Sequence, residues 1–210
     1  MPGMNELASV ETKTRVAAAI TAIEKKTSAE VVVSMRAESG RYLHADLVAG
    51  ALAALAYLCV FLYHPEEFDF TYFPIEQALC FVLVAVASSR IPPLRRLLAS
   101  KRSRAENVEL AAKAMFVDRG ITKTRSRTGV LVYLSAFERE VAVVLDVGLD
   151  PVRLGDPYRR AVLELQAAAG RSKCTVEQLV KALEDVGAAL AEAYPIEADD
   201  VDELPNEVAA

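Results

Sequence analysis

The sequence predicts an α/β domain, a small central sheet sandwiched by helices, split by an inserted two-helix transmembrane hairpin. Three observations predict it. Two long apolar runs, residues 47–63 and 71–89, stand close together in the chain. A β-branched run, Val31 to Val33, precedes them, and a second strand-like region follows from Val130 onward. Segments with helical apolar spacing flank both strand regions.

The apolar runs decide the class. Apolar residues make up 53% of the 210, above the roughly 45–50% of a soluble domain. Residues 47–63 contain no charge, and at 1.5 Å per residue they reach roughly 26 Å, against a hydrocarbon thickness of about 30 Å. No polar face interrupts them, which argues against the other reading, a helical hairpin buried in a soluble core. Residues 71–89 carry one charge, Glu76, near one end, and open with aromatic Phe70, Tyr72 and Phe73, which suit the membrane interface.

The charge pattern orients the hairpin. Residues 46–89 hold no basic and five acidic groups, residues 90–127 eleven and three, residues 128–210 seven and sixteen. The loop 64–70 has no Lys or Arg, whereas Arg90, Arg95, Arg96, Lys101, Arg102 and Arg104 follow the second run. The positive-inside rule then places both termini in the cytoplasm of a multi-pass inner-membrane protein, with Arg95, Arg96, Lys101, Arg102 and Arg104 facing anionic headgroups. Residues 1–11 carry acidic groups and no apolar core, unlike a signal peptide, so the first span is the expected targeting signal.

The flanking elements read in order. Val16, Ile20 and Ile23 mark a helix opened by Ser9 and ended before Thr27 and Ser28. Residues 30–36 form a strand. Ser103 with Glu106 reads as a capping box for a helix with Val108, Ala111, Ala112 and Met115 on its apolar face, closed by Gly120. Residues 130–135 and 139–146 pair as a hairpin around Ala136, Phe137 and Glu138. Asp156 before Pro157 reads as the N-cap of a helix to about Ala169. Thr175 with Gln178 caps the last helix, whose stripe Val176, Leu179, Val180, Leu183, Val186 and Leu190 ends before Pro195. The first strand needs partners and the other strands come only after Gly129, so the domain is expected as residues 1–45 and 95–196. The hairpin, 46–94, is inserted between them, and an acidic tail, 197–210, follows.

The residues Lys26-Thr-Ser-Ala-Glu-Val-Val-Val-Ser, Phe116-Val-Asp-Arg-Gly-Ile, Thr128-Gly-Val-Leu-Val-Tyr-Leu-Ser, the strand 139–146 and Gly148-Leu149, in that order, resemble the TPM-domain family. The resemblance covers roughly residues 9–195 apart from the hairpin. It implies an α/β sandwich around a small sheet. Members are variously acid phosphatases, divalent-cation binders or non-enzymatic helpers of membrane complexes. The acidic loop of that family falls on Asp146 and Asp150, beside Gly148, as candidate ligands for Ca or Mg.

The residues themselves offer little further chemistry. The two histidines, His44 and His64, cannot build a zinc set, and Cys174 has no partner at ligand spacing. No nucleophile elbow, zinc-protease helix or phosphate loop is present. A hard cation would need six to eight oxygen ligands. Asp146, Asp150 and Asp156 are better explained as a strand end, a turn and a helix cap. The basic segment 123–128 lacks an aromatic for base stacking and the later chain is acidic, which disfavours nucleic acid. Three cysteines, two of them in apolar runs, make no disulfide framework.

Two function classes follow. One is a cytoplasmic, non-enzymatic interaction or assembly module held at the lipid bilayer to contact another membrane protein, with no cofactor. The other is a weak divalent-cation-dependent phosphatase using Asp146 and Asp150.

Overall fold

The run Glu30-Val-Val-Val-Ser-Met-Arg forms strand β1, Glu30–Arg36, and lies parallel to β2, Gly129–Ser135, with Glu30 opposite Gly129 and Arg36 opposite Ser135. Strand β3, Glu140–Leu145, runs antiparallel on the far side of β2, so the sheet order is β1-β2-β3. Parallel neighbours need a long crossover, and here the crossover is residues 37–128. The one sheet therefore draws strands from both sides of the apolar hairpin. The computed structural model describes residues 9–64, 70–171 and 174–196. The expected acidic tail 197–210, most of the expected loop 64–70 and the first eight residues lie outside the described residues.

The chain divides into two compact units, residues 1–39 with 105–210, and residues 40–104. In the first, alternation along the strands gives the sheet two apolar faces. Val31, Val33, Val130, Val132 and Leu134 pack against helices α1, Val10–Glu24, α6, Pro151–Gly170, and α7, Val176–Ala193, through Ile20, Leu165, Leu183 and Leu190. Val32, Leu131 and Tyr133 face the other way, onto Val108, Ala112 and Phe116 of helix α5, Lys101–Asp118, and onto Ile121 of the short 3-10 turn Ile121–Lys123. The result is a mixed α/β fold of seven helices and three strands among the described residues.

Local chemistry sets the ends. Ser9 Oγ accepts from Thr12 N, and Thr175 with Gln178 forms a reciprocal capping box. Gly120, at φ +67°, turns the chain out of α5. Three of the boundaries around the sheet differ from the sequence expectation. Helix α5 starts at Lys101, with Ser100 Oγ accepting from Ser103 N, so the Ser103–Glu106 pair lies inside it. Helix α6 starts at Pro151 under an Asp150 cap, and Gly155, at φ +63°, breaks it just before Asp156-Pro157. The expected Asp156 start is thus the second segment of a helix already begun. Arg139 takes φ +54° and belongs to the turn, which delays β3 to Glu140.

The second unit holds helices α2, Leu43–Tyr63, α3, Phe73–Arg90, and the short α4, Pro92–Leu98. Contacts between α2 and α3 step in opposite directions. A Cβ on Gly50 would stand 2.7 Å from the Phe81 carbonyl oxygen, Gln77 Nε2 donates to the Ala54 carbonyl at 2.9 Å, and the Phe61 and Phe73 rings meet at 4.2 Å. The pair is therefore antiparallel, and its closest approach needs the missing side chain of Gly50. Helix α2 begins four residues before the predicted span and takes in Asp46, because that carboxylate has a partner: Arg95 Nε of α4 lies 3.3 Å from Asp46 Oδ2. Helix α3 begins at Phe73, with Pro74 in its first turn, and leaves Thr71 and Tyr72 outside. Among the elements expected from the sequence none covers α4, and its two adjacent prolines fit the first turn.

Candidate functional site

The loop leaving β3 carries the two aspartates proposed as ligands. Asp146 is buried, and its backbone N–H donates to the Gly129 carbonyl, which continues the β2–β3 ladder by one residue. Arg127 grips its carboxylate with two bonds, Nε to Oδ2 at 2.8 Å and Nη2 to Oδ1 at 3.0 Å, and Val147 N donates to Oδ1 at 2.7 Å. That contact holds the Arg127 guanidinium above its ordinary pKa, chiefly through the hydrogen bond to Asp146. Arg127 reaches it from a left-handed backbone, φ +56°. Gly148 passes so close that a Cβ would stand 2.3 Å from the Ser126 carbonyl oxygen. Only glycine fits there.

Asp150 serves a different purpose. Its Oδ1 accepts from Val152 N at 2.9 Å as the cap of α6, and its N–H donates to Tyr194 Oη at 2.8 Å. The Arg153 guanidinium stacks 4.2 Å over the Tyr194 ring. The structure thus places Asp146 and Asp150 in one loop but commits each carboxylate to a structural partner. A divalent cation at Asp146 would lie against the Arg127 charge, so these residues do not fit Ca or Mg. Among the described residues, no group of three or more His, Cys, Asp or Glu is placed to hold a metal.

The opposite end of the sheet holds a polar network not anticipated by sequence. Glu138, in the turn after β2, is 1% exposed, and its Oε1 accepts from Ser39 N at 2.9 Å. Its Oε2 accepts from Ser135 Oγ. Ser39 Oγ donates to Ser135 Oγ at 2.8 Å and lies 3.1 Å from Tyr133 Oη. Ala136 N and Phe137 N donate to the carbonyls of Arg36 and Ala37. The network sits at the carboxyl ends of two parallel strands, where open α/β sheets place their ligands. Here the groups bond one another and fix the point where β1 gives way to the hairpin. Ser39 and Glu138 are 99 positions apart, and no local pattern links them.

The five basic residues expected at a membrane surface follow α3. Arg95 pairs with Asp46, and its guanidinium lies 5.8 Å from the ring of the fully buried Tyr42. Arg96 and Arg104 are half-buried, and Lys101 and Arg102 are exposed.

The apolar surface of α2 and α3 is the largest feature of the second unit. Both helices are long and apolar enough to cross a membrane. Their lengths, 21 and 18 residues, correspond to roughly 32 and 27 Å. Only 6% of the most apolar stretch of α3 and 28% of that of α2 is buried. Leu52, Leu55, Val60, Leu79, Leu83 and Val86 are each more than half exposed. Contiguous apolar surface of this kind marks a contact with lipid or protein.

No protein-family model matches the chain, and no curated protein sequence does either. Among solved structures, the chain is similar to the BA42 protein of the psychrophilic bacterium Bizionia argentinensis, known from NMR, with a TM-score of 0.58 and 20% identity over 100% of this chain and 99% of that one. At that identity the likeness is one of fold.

Proposed function

We propose that this is an integral membrane protein whose hairpin, α2 and α3, crosses the bilayer and holds a cytoplasmic α/β domain of TPM type at the inner membrane. There the domain acts as a non-enzymatic interaction or assembly module. The observation that carries the reading is the exposed apolar surface of both helices, which water would penalise at about 25 cal/mol per Å² and lipid would not. The ion pair of Asp46, near the start of α2, with Arg95 of α4, and the Tyr57–Glu76 hydrogen bond of 2.5 Å toward the other end of α2 suit a span whose charged groups stay near the two interfaces. Lys101 and Arg102 then lie on the cytoplasmic side with the rest of the basic block, facing anionic headgroups.

The commitment of Asp146 to Arg127 and of Asp150 to the α6 cap supports an interaction role over a cation-dependent phosphatase at that loop. Extraction of membranes at alkaline pH tests the reading. The chain is expected to stay in the pellet and to leave it only with detergent. Release into the alkaline supernatant would overturn the membrane assignment.

A further inference from the structure

We infer that the free edge of β3 is a self-association surface, on which β3 of a second copy adds in antiparallel fashion to make one six-stranded sheet. This deepens the interaction-module reading and rests on it, by naming the partner. In an antiparallel ladder the backbone groups of alternate residues point to opposite edges. Asp146 N bonds Gly129 O, so Glu140, Ala142 and Val144 turn their N–H and C=O toward β2, and Val141, Val143 and Leu145 turn theirs outward. Gln166 Nε2 donates to the Val141 carbonyl at 3.3 Å from the outer side, which agrees with that assignment.

The outward edge is the floor of a groove of about 530 Å³, walled by α5 on one side, through Val108, Glu109 and Lys113, and by Gln166 of α6 on the other. Among the described residues no strand fills it. Glu140-Val-Ala-Val-Val-Leu has no proline, lysine or bulge; its one charge, Glu140, stands at the first position, and Gln166 covers only the Val141 carbonyl, which leaves the groups of Val143 and Leu145 open to a strand. Only an extended chain satisfies a row of alternating donors and acceptors, which makes the occupant a strand.

The charges on the wall point to a second copy. Glu109 and Lys113 stand one turn apart on α5, both more than half exposed and 2.6 Å from each other. A two-fold axis normal to the sheet keeps α5 on the same face in both copies and reverses its direction. It brings Glu109 of one copy toward Lys113 of its partner, twice. An isologous contact of this kind is complementary to itself by symmetry, and confinement to one membrane raises the effective concentration of the two edges.

The test is the oligomeric mass of the full chain in nanodiscs, measured over a range of protein loading. The wild-type chain is expected to be dimeric. Lys113→Glu is expected to weaken association by roughly tenfold or more, because like charges then face each other in both symmetric contacts. The double variant Glu109→Lys with Lys113→Glu restores both attractions and is expected to recover the dimer. Val143→Pro, which removes an outward donor, is expected to give monomers; because it also restrains the backbone, the charge swap carries the decision. A monomeric wild-type chain would overturn the inference, as would a dimer indifferent to Lys113→Glu or a single-variant defect that the swap does not repair. The last result would indicate a strand from a different protein. A chain that never enters the bilayer would instead sink the membrane reading, and the alkaline extraction separates the two failures.

Discussion

The buried carboxylate of Glu138 accepts the backbone N–H of Ser39 at 2.9 Å, joining the turn between β2 and β3 to the residue at which the first part of the α/β unit ends. This bond ties the start of the crossover of some ninety residues to the turn that follows β2. Ser135 and Tyr133 complete the network around it. Replacing Glu138 by Ala strands the half-buried Ser39 N and the buried Ser135 Oγ, and a buried donor left unpaired costs about 1–3 kcal/mol. Denaturant unfolding in detergent should show that loss, with Glu138→Gln milder because its amide oxygen still accepts. A Glu138→Ala variant as stable as wild type would remove the network from the account.

A second expectation concerns the shared sheet. Val32 lies on β1 opposite Leu131, within the cluster that also holds Val108 and Phe116. An aspartate there would be buried without a partner, at a cost of several kcal/mol. Hydrogen exchange should rise across β2 and β3 as well as near residue 32. A change confined to residues 30–36 would contradict a single cooperative sheet.

The loop at Gly148 makes the third. Any side chain would press on the Ser126 and Arg127 carbonyls, so Gly148→Ala should lower stability by about 1–3 kcal/mol, the usual range for overpacking. It should also displace Arg127 from Asp146. Thermal unfolding gives the first effect. An unchanged midpoint would mean the loop is free to move away.

Acid stability supplies the fourth. Arg15 of α1 bonds Glu177 of α7 at 2.5 Å, and that hydrogen bond, first among the causes, holds the Glu177 carboxyl down at about 2 from the usual 4.5. A depressed folded-state pKa adds stability that is present above the unfolded value and is lost as pH falls through the folded one. The contribution therefore fades between about pH 4.5 and about pH 2. The pair is exposed, so the effect is small and screened by salt. Glu177→Gln should flatten the stability profile in that window alone; equal slopes for both proteins would contradict the pairing.

What the sequence disclosed was whatever is encoded locally. Val31 to Val33 and the run from Val130 announce strands by composition, and Thr175 with Gln178 announces a cap by spacing. The apolar helices announce themselves by length. Where the expectation slipped, a distant residue decided. Asp46 enters α2 because Arg95 meets it from 49 positions on, and Glu138 stays buried because Ser39 returns to it. Asp146 has ligand chemistry in the sequence, but Arg127, held in a left-handed conformation that no short pattern marks, takes both of its oxygens. Ser100 displaced Ser103 as a cap because two serines three apart offer the same signal.

Cysteine accessibility tests whether α2 and α3 cross the bilayer with the loop between them outside. The native cysteines Cys59, Cys80 and Cys174 are free and can be replaced by Ala. Single cysteines are then introduced as His64→Cys, at the end of α2, or as Arg125→Cys, on the exposed loop before β2. Intact cells are treated with a membrane-impermeant maleimide. The expected result is labelling of the His64→Cys protein from outside and labelling of the Arg125→Cys protein only after permeabilisation. Labelling of Arg125→Cys in intact cells, with His64→Cys protected, would contradict the orientation, and labelling of both only after lysis would contradict the crossing itself.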